Sequence, residues 1–130
     1  MRILVIEDEA LVALQIELSL EAADHEVAGQ ADTLRAAIKL AEEEHPDLAL
    51  VDVRLAEGCS GLDVAAELKK RGVPSLFVTG NCPGENRSDI ALGCLHKPFT
   101  QTQIIRAVGA AECLLRGERP NVKTGELHFY

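Results

Sequence analysis

Apolar residues in this chain gather into short unbroken runs: Ile3-Leu-Val-Ile6, Leu48-Ala-Leu-Val51, Leu76-Phe-Val78 and the brief Cys94-Leu95. Runs of this kind predict strands buried on both faces, as in the interior of a parallel sheet. Between them the apolar spacing turns helical: Ala10 to about Ala23, with Leu11, Leu14 and Leu18 on one stripe; about Leu34 to Glu44; Leu62 to Arg71; and Thr102 to Leu115. Punctuation agrees, since Asp32-Thr33 can cap the second helix, Pro46 follows its end, and Gly72 and Pro74 stand past the third. The stretch from Gly80 to Ser88 is rich in turn residues, and a short fourth helix is predicted at about Arg87 to Leu92. Alternating strands and helices predict an α/β fold, a doubly wound parallel sheet of five strands with helices on both faces.

With 130 residues the chain has the size of one domain, which buries about two-thirds of its unfolded surface and needs no structural metal or disulfide. We expect that domain over residues 1–116, followed by a tail over 117–130 with turn residues early, an apolar end and no effector domain. The net charge of -8 repels a phosphate backbone, and three Phe and one Tyr offer no stacking platform, so direct nucleic-acid binding is not expected. No run approaches the ~18 apolar residues of a membrane span, and a strand pattern starts right after Met1-Arg2, so a cytoplasmic protein without membrane attachment is expected. Cys59, Cys82, Cys94 and Cys113 form no CxxC pair and have no histidines at zinc-finger spacing, which predicts reduced thiols. Cys94 and Cys113 read as small buried apolar residues, and Cys59 and Cys82 as loop residues near the site.

The polar residues that end the apolar runs carry the chemistry. Glu7-Asp8 follow the first run, Asp52 the second and Thr79 the third, while Lys97-Pro98 come soon after the last. If the runs are parallel strands, these groups meet at the carboxyl ends of the strands, where open α/β sheets bind ligands. Two carboxylates about 4 Å apart repel by roughly 4 kcal/mol at an effective dielectric of 20, so Glu7, Asp8 and Asp52 together favour a bound cation. Hard oxygen ligands suit Mg²⁺. Asp52, on a different strand from the acidic pair, is the candidate nucleophile toward phosphorus. Lys97 supplies a fixed cation and Thr79 a hydroxyl for phosphoryl oxygens. By strand alternation His96 points away from Lys97 and is read as structural.

Taken together, Ile3-Leu-Val-Ile-Glu-Asp-Glu9, Leu48-Ala-Leu-Val-Asp-Val-Arg54, Val78-Thr-Gly80 and His96-Lys-Pro-Phe99 resemble the receiver domains of two-component response regulators, over roughly residues 2 to 116. The resemblance implies a flavodoxin-like (βα)5 fold of strand order 2-1-3-4-5. It also implies phosphoryl transfer to Asp52 from a phosphohistidine of a histidine kinase or histidine phosphotransferase. Asp8 and Asp52 would ligate Mg²⁺, Glu7 directly or through water, and the backbone carbonyl of Arg54 would complete the set. A cis Lys97-Pro98 bond, a monomer or weak dimer, and an output face made by the fourth helix, fifth strand and last helix are implied as well. Such a protein is regulatory rather than an enzyme, acting as a phosphoryl sink or as a switch that binds a further protein.

Several positions depart from that family. Ala56 and Ser60 stand where a proline and a glycine are usual, with Gly61 one later, so the loop after Asp52 looks one residue longer. Cys94 replaces the usual switch aromatic. Phe77-Val-Thr-Gly80 resembles the Phe-Ala-Thr-Gly-X-Tyr subgroup of single-domain receivers, some of which serve light or general stress signalling, with Val78 for alanine and Cys82 for tyrosine. Arg54 and Asn81 would flank the path of water to an acyl phosphate and tune its hydrolysis. Other readings are a binding module that works without phosphorylation, a flavin binder of the same fold, or a phosphatase. Retention of all five site residues opposes the first, the acidic Glu7-Asp-Glu9 opposes a flavin phosphate loop, and Arg54 stands where a phosphatase wants a second aspartate.

Overall fold

A computed structural model describes residues 1–55, 58–120 and 127–130. Along the chain run β1 (Arg2–Ile6), α1 (Ala10–Ala22), β2 (Glu26–Ala31), α2 (Leu34–Glu44), β3 (Leu48–Val51), α3 (Gly61–Lys70), β4 (Ser75–Thr79), β5 (Gly93–His96), α4 (Gln101–Leu115) and β6 (Leu127–Phe129). The strands form one sheet in the order β2-β1-β3-β4-β5-β6. The first five are parallel in the expected order, and β6 adds an antiparallel edge beside β5. Residues 121–126 of the tail and Ala56 of the longer loop lie outside the described residues.

Strand alternation divides the core in two. Ile3, Val5, Leu48, Leu50, Leu76 and Val78 point to the side covered by Ile16 and Leu20 of α1 and by Ile104 and Val108 of α4. Leu4, Ile6, Ala49, Val51 and Phe77 point to the side covered by Ala37 and Ala41 of α2 and by Val64 and Leu68 of α3. A central strand that packs on both faces must be apolar at every position, which is why its sequence shows a run rather than an alternation. Each Val, Leu, Ile or Phe among them taken fully from water contributes about 1.5–3 kcal/mol. Three helix starts are fixed by their own sequence: Thr33 accepts a hydrogen bond from the Ala36 amide, Ser60 accepts one from the Leu62 amide, and Thr100 and Gln103 form a reciprocal capping box.

Two expectations are corrected, the fourth helix and the number of strands. The helix predicted at Arg87 to Leu92 is a single turn, in which the Ile90 and Ala91 amides both donate to the Arg87 carbonyl before Leu92 donates to Ser75. One turn fixes several dihedrals for one or two hydrogen bonds, and with Pro83, Gly84 and Asn86 before it nothing propagates it. Leu11, Leu14 and Leu18 share one stripe as expected, and it faces outward, with Leu11 82% exposed; Ala13, Ile16 and Leu20 face the sheet. Because α1 is apolar on both sides, its spacing alone leaves the buried face undecided. The five-stranded sheet is extended to six, since the end of the tail docks as β6. Gly93 makes that docking possible, because a Cβ there would stand 2.1 Å from the His128 carbonyl oxygen.

No helix among the described residues is long and apolar enough to cross a membrane.

Candidate functional site

Parallel register sets the ends of β1 and β3 level, with Ile6 opposite Val51, while β4 runs on from Phe77, the partner of Val51, to Thr79. Glu7 and Asp52 therefore emerge together at the carboxyl edge, with Thr79 at the end of the neighbouring strand. Backbone bonds hold them there: the Glu7 amide donates to the Ala31 carbonyl (3.0 Å), the Asp52 amide to Ile6 (2.9 Å) and the Lys97 amide to Thr79 (2.9 Å). Gly61 at the start of α3 is part of the same packing. A Cβ at this position would lie 2.0 Å from the Asp52 carbonyl oxygen, so the helix approaches the Asp52 backbone only because residue 61 is glycine.

Glu7, Asp8 and Asp52 each offer a carboxylate oxygen, and these atoms lie within 4.8 Å of one another. Glu7 and Asp52 are buried, while Asp8 is exposed. Lys97 Nζ donates to Glu7 Oε2 and to Asp52 Oδ2, both at 2.9 Å, and lies 3.9 Å from Glu9. The other oxygens are held by the backbone, Glu7 Oε1 accepting from the Glu9 amide and Asp52 Oδ1 from the Arg54 amide, each at 3.2 Å. Burial pushes the Glu7 carboxyl up to about 7, and the Asp52 charge adds to that, against the pull of Lys97 and the Glu9 amide. Burial alone would lower the Lys97 ammonium, but its bonds to Glu7 and Asp52 outweigh this and raise it.

Three carboxylates with one ammonium among them leave a negative, oxygen-lined cup. The donor set fits a hard divalent cation such as Mg²⁺, which binds through a few carboxylates and keeps waters. Thr79 is fully buried, and its Oγ1 accepts from the Asn81 amide at 3.1 Å. Arg54 is exposed beside the cup, and the Lys97-Pro98 bond is cis. His96 packs edge-on against His128 with ring centroids 5.2 Å apart, away from the carboxylates.

The expectation of reduced thiols is corrected for one pair. Cys82 and Cys94 are joined in a disulfide with Cα atoms 6.0 Å apart, whereas Cys59 and Cys113 are free. Sequence spacing missed the pair because the link is made through space. The loop after Thr79 folds back over β5, where Cys94 lies beside Phe77 of β4. The available signal was that both cysteines replace aromatics of the resembled family.

Residues 3–109 match the family model described as the response regulator receiver domain. The phyllosphere-induced regulator PhyR of Methylorubrum extorquens is 46% identical over 79 residues, 59% of this chain and 30% of PhyR. The transcriptional regulatory protein PdtaR of Mycobacterium tuberculosis is 32% identical over 115 residues, 85% of this chain and 56% of PdtaR. This chain thus spans less than two-thirds of either relative. Among solved structures, the PhyR receiver domain of Erythrobacter litoralis aligns with a TM-score of 0.75 at 28% identity over 95% of both chains. SdrG of Sphingomonas melonis Fr1 aligns with a TM-score of 0.69 at 34% identity, covering 84% of this chain and 93% of its own.

Proposed function

This chain belongs to the response regulator receiver domain family, and from that premise we propose that Asp52 accepts a phosphoryl group from a phosphohistidine of a histidine kinase or histidine phosphotransferase. The observation that carries the reading is the Lys97 ammonium bonded at 2.9 Å to both Glu7 and Asp52, within a trio of carboxylates that can share one cation. A carboxylate oxygen of Asp52 attacks phosphorus while the phosphorus–nitrogen bond breaks, and its electron pair leaves on the imidazole. Glu7, Asp8 and Asp52, with the Arg54 carbonyl, would hold Mg²⁺, which when bound offsets the charge of the phosphoryl oxygens.

Lys97 then exchanges one carboxylate contact for a phosphoryl oxygen. Thr79 turns its hydroxyl toward another, and this draws on the Asn81 amide that now bonds Oγ1. Output goes through contact with a further protein or through competition for phosphoryl groups. The Phe77-Val-Thr-Gly80 segment supports placement near the Phe-Ala-Thr-Gly-X-Tyr receivers, with conformational change centred on the loop from Gly80 to Ser88.

Intact mass after incubation with Mg²⁺ and acetyl phosphate tests the reading. Wild type is expected to gain one phosphoryl group and Asp52→Asn none; equal gain in both, or no gain in either, would overturn it.

A further inference from the structure

The geometry points to Cys82–Cys94 as a thiol–disulfide exchange site that a dithiol reductant opens, and whose state sets the freedom of the loop between β4 and β5. Two facts make the bond a local staple. Cys94 lies in the sheet beside Phe77, in a strand whose neighbours on both sides are hydrogen-bonded to it, so that end is fixed. Cys82 belongs to a segment that forms no helix or strand and is bounded by Gly80, Pro83 and Gly84, so the bond is its strongest tie to the core.

Access fits the same reading. Cys94 is buried, but Cys82 is half-exposed, and an open cleft of about 470 Å³ reaches the pair, lined also by His96, His128 and Tyr130. An incoming thiolate can attack Cys82 Sγ, with Cys94 Sγ as the leaving group. The second thiol of the reductant then resolves the mixed disulfide. In balance, one dithiol becomes one disulfide, and Cys82 and Cys94 gain two electrons and two protons as free thiols. A small disulfide such as oxidised glutathione reverses the exchange.

The link to the site is short. Cys82 directly follows Asn81, whose amide donates to Thr79 Oγ1. With the staple closed, the Asn81 amide stays over Thr79; with it open, the loop can yield as the Thr79 hydroxyl turns. This last step rests on the proposed phosphorylation, whereas the exchange itself does not.

The test uses a Cys59→Ser/Cys113→Ser background, in which only the pair remains. After equilibration with oxidised glutathione and alkylation, intact mass is expected to show no reactive thiol, and two after dithiothreitol. Amide hydrogen exchange over residues 80–92 is expected to speed up by about tenfold or more on reduction, because closure of a loop with sequence separation 12 is lost. Cys82→Ser should match the reduced protein. Two reactive thiols in the oxidised sample, or loop exchange that ignores the redox state, would overturn the inference. A failure of acetyl phosphate to label either form would instead count against the phosphoryl reading alone, since thiol count and loop exchange are read without it.

Discussion

Lys97 is the one cation bonded to both buried carboxylates among the described residues, and its loss shows what the site costs the fold. Replacing it by an apolar side chain leaves Glu7 and Asp52 facing each other without a counter-charge, and breaking a buried pair costs about 3–5 kcal/mol. Lys97→Met is therefore expected to lower unfolding free energy by about that amount in chelator at pH 8, and by less at pH 5, where Glu7 carries a proton. A denaturant titration at the two pH values reads the difference. Gly61 bears a different strain: the Cβ of Gly61→Ala would meet the Asp52 carbonyl oxygen at 2.0 Å. Overpacking of this kind costs about 1–3 kcal/mol. The substitution should also slow labelling by acetyl phosphate, while Gly109→Ala, whose Cβ meets nothing, should leave labelling unchanged.

At the scale of elements, β6 depends on a single residue in β5. Gly93→Ala drives a methyl group into the His128 carbonyl 2.1 Å away, so β6 should detach. Its amides from Leu127 to Tyr130 are expected to lose hydrogen-exchange protection while those of β1 and β3 keep theirs. Retained protection would show that the edge can shift to admit a side chain. The same elements show what was legible beforehand. β1, β3 and β4 declare themselves because strands packed on two faces must be apolar throughout, and the carboxylates, Thr79 and Lys97 could be placed because each directly ends or follows such a strand. β6 is only three residues long and is held by tertiary pairing, so its pattern carries no signal. The helix expected at Arg87 to Leu92 failed because local propensity there was weak, and the buried face of α1 was left open because its apolar spacing is equal on both sides. The Cys82–Cys94 link depends on how one loop returns to the sheet, which no spacing along the chain encodes.

At the scale of the whole molecule, the buried acidic site is expected to tie stability to pH and to Mg²⁺. A carboxyl whose folded pKa lies above its unfolded value holds its proton more tightly when folded. Its contribution is therefore complete below the ordinary value of 4.5 and is lost as pH rises through about 7. In chelator, unfolding free energy is expected to fall from pH 5 to pH 8 for wild type, and the slope should flatten in Glu7→Gln. Mg²⁺ held by these carboxylates would need them deprotonated, so its affinity should rise over the same range and restore stability at pH 8. A flat profile for wild type would remove Glu7 from this role. The central claim, that phosphoryl chemistry takes place on Asp52, is tested most directly by trapping. Protein labelled with Mg²⁺ and acetyl phosphate is treated with borohydride, which reduces an aspartyl phosphate to homoserine, and the modified position is read by peptide mass spectrometry. The account expects homoserine at position 52 alone and none without Mg²⁺. Modification at position 8, or a phosphoryl group that resists borohydride, would contradict it.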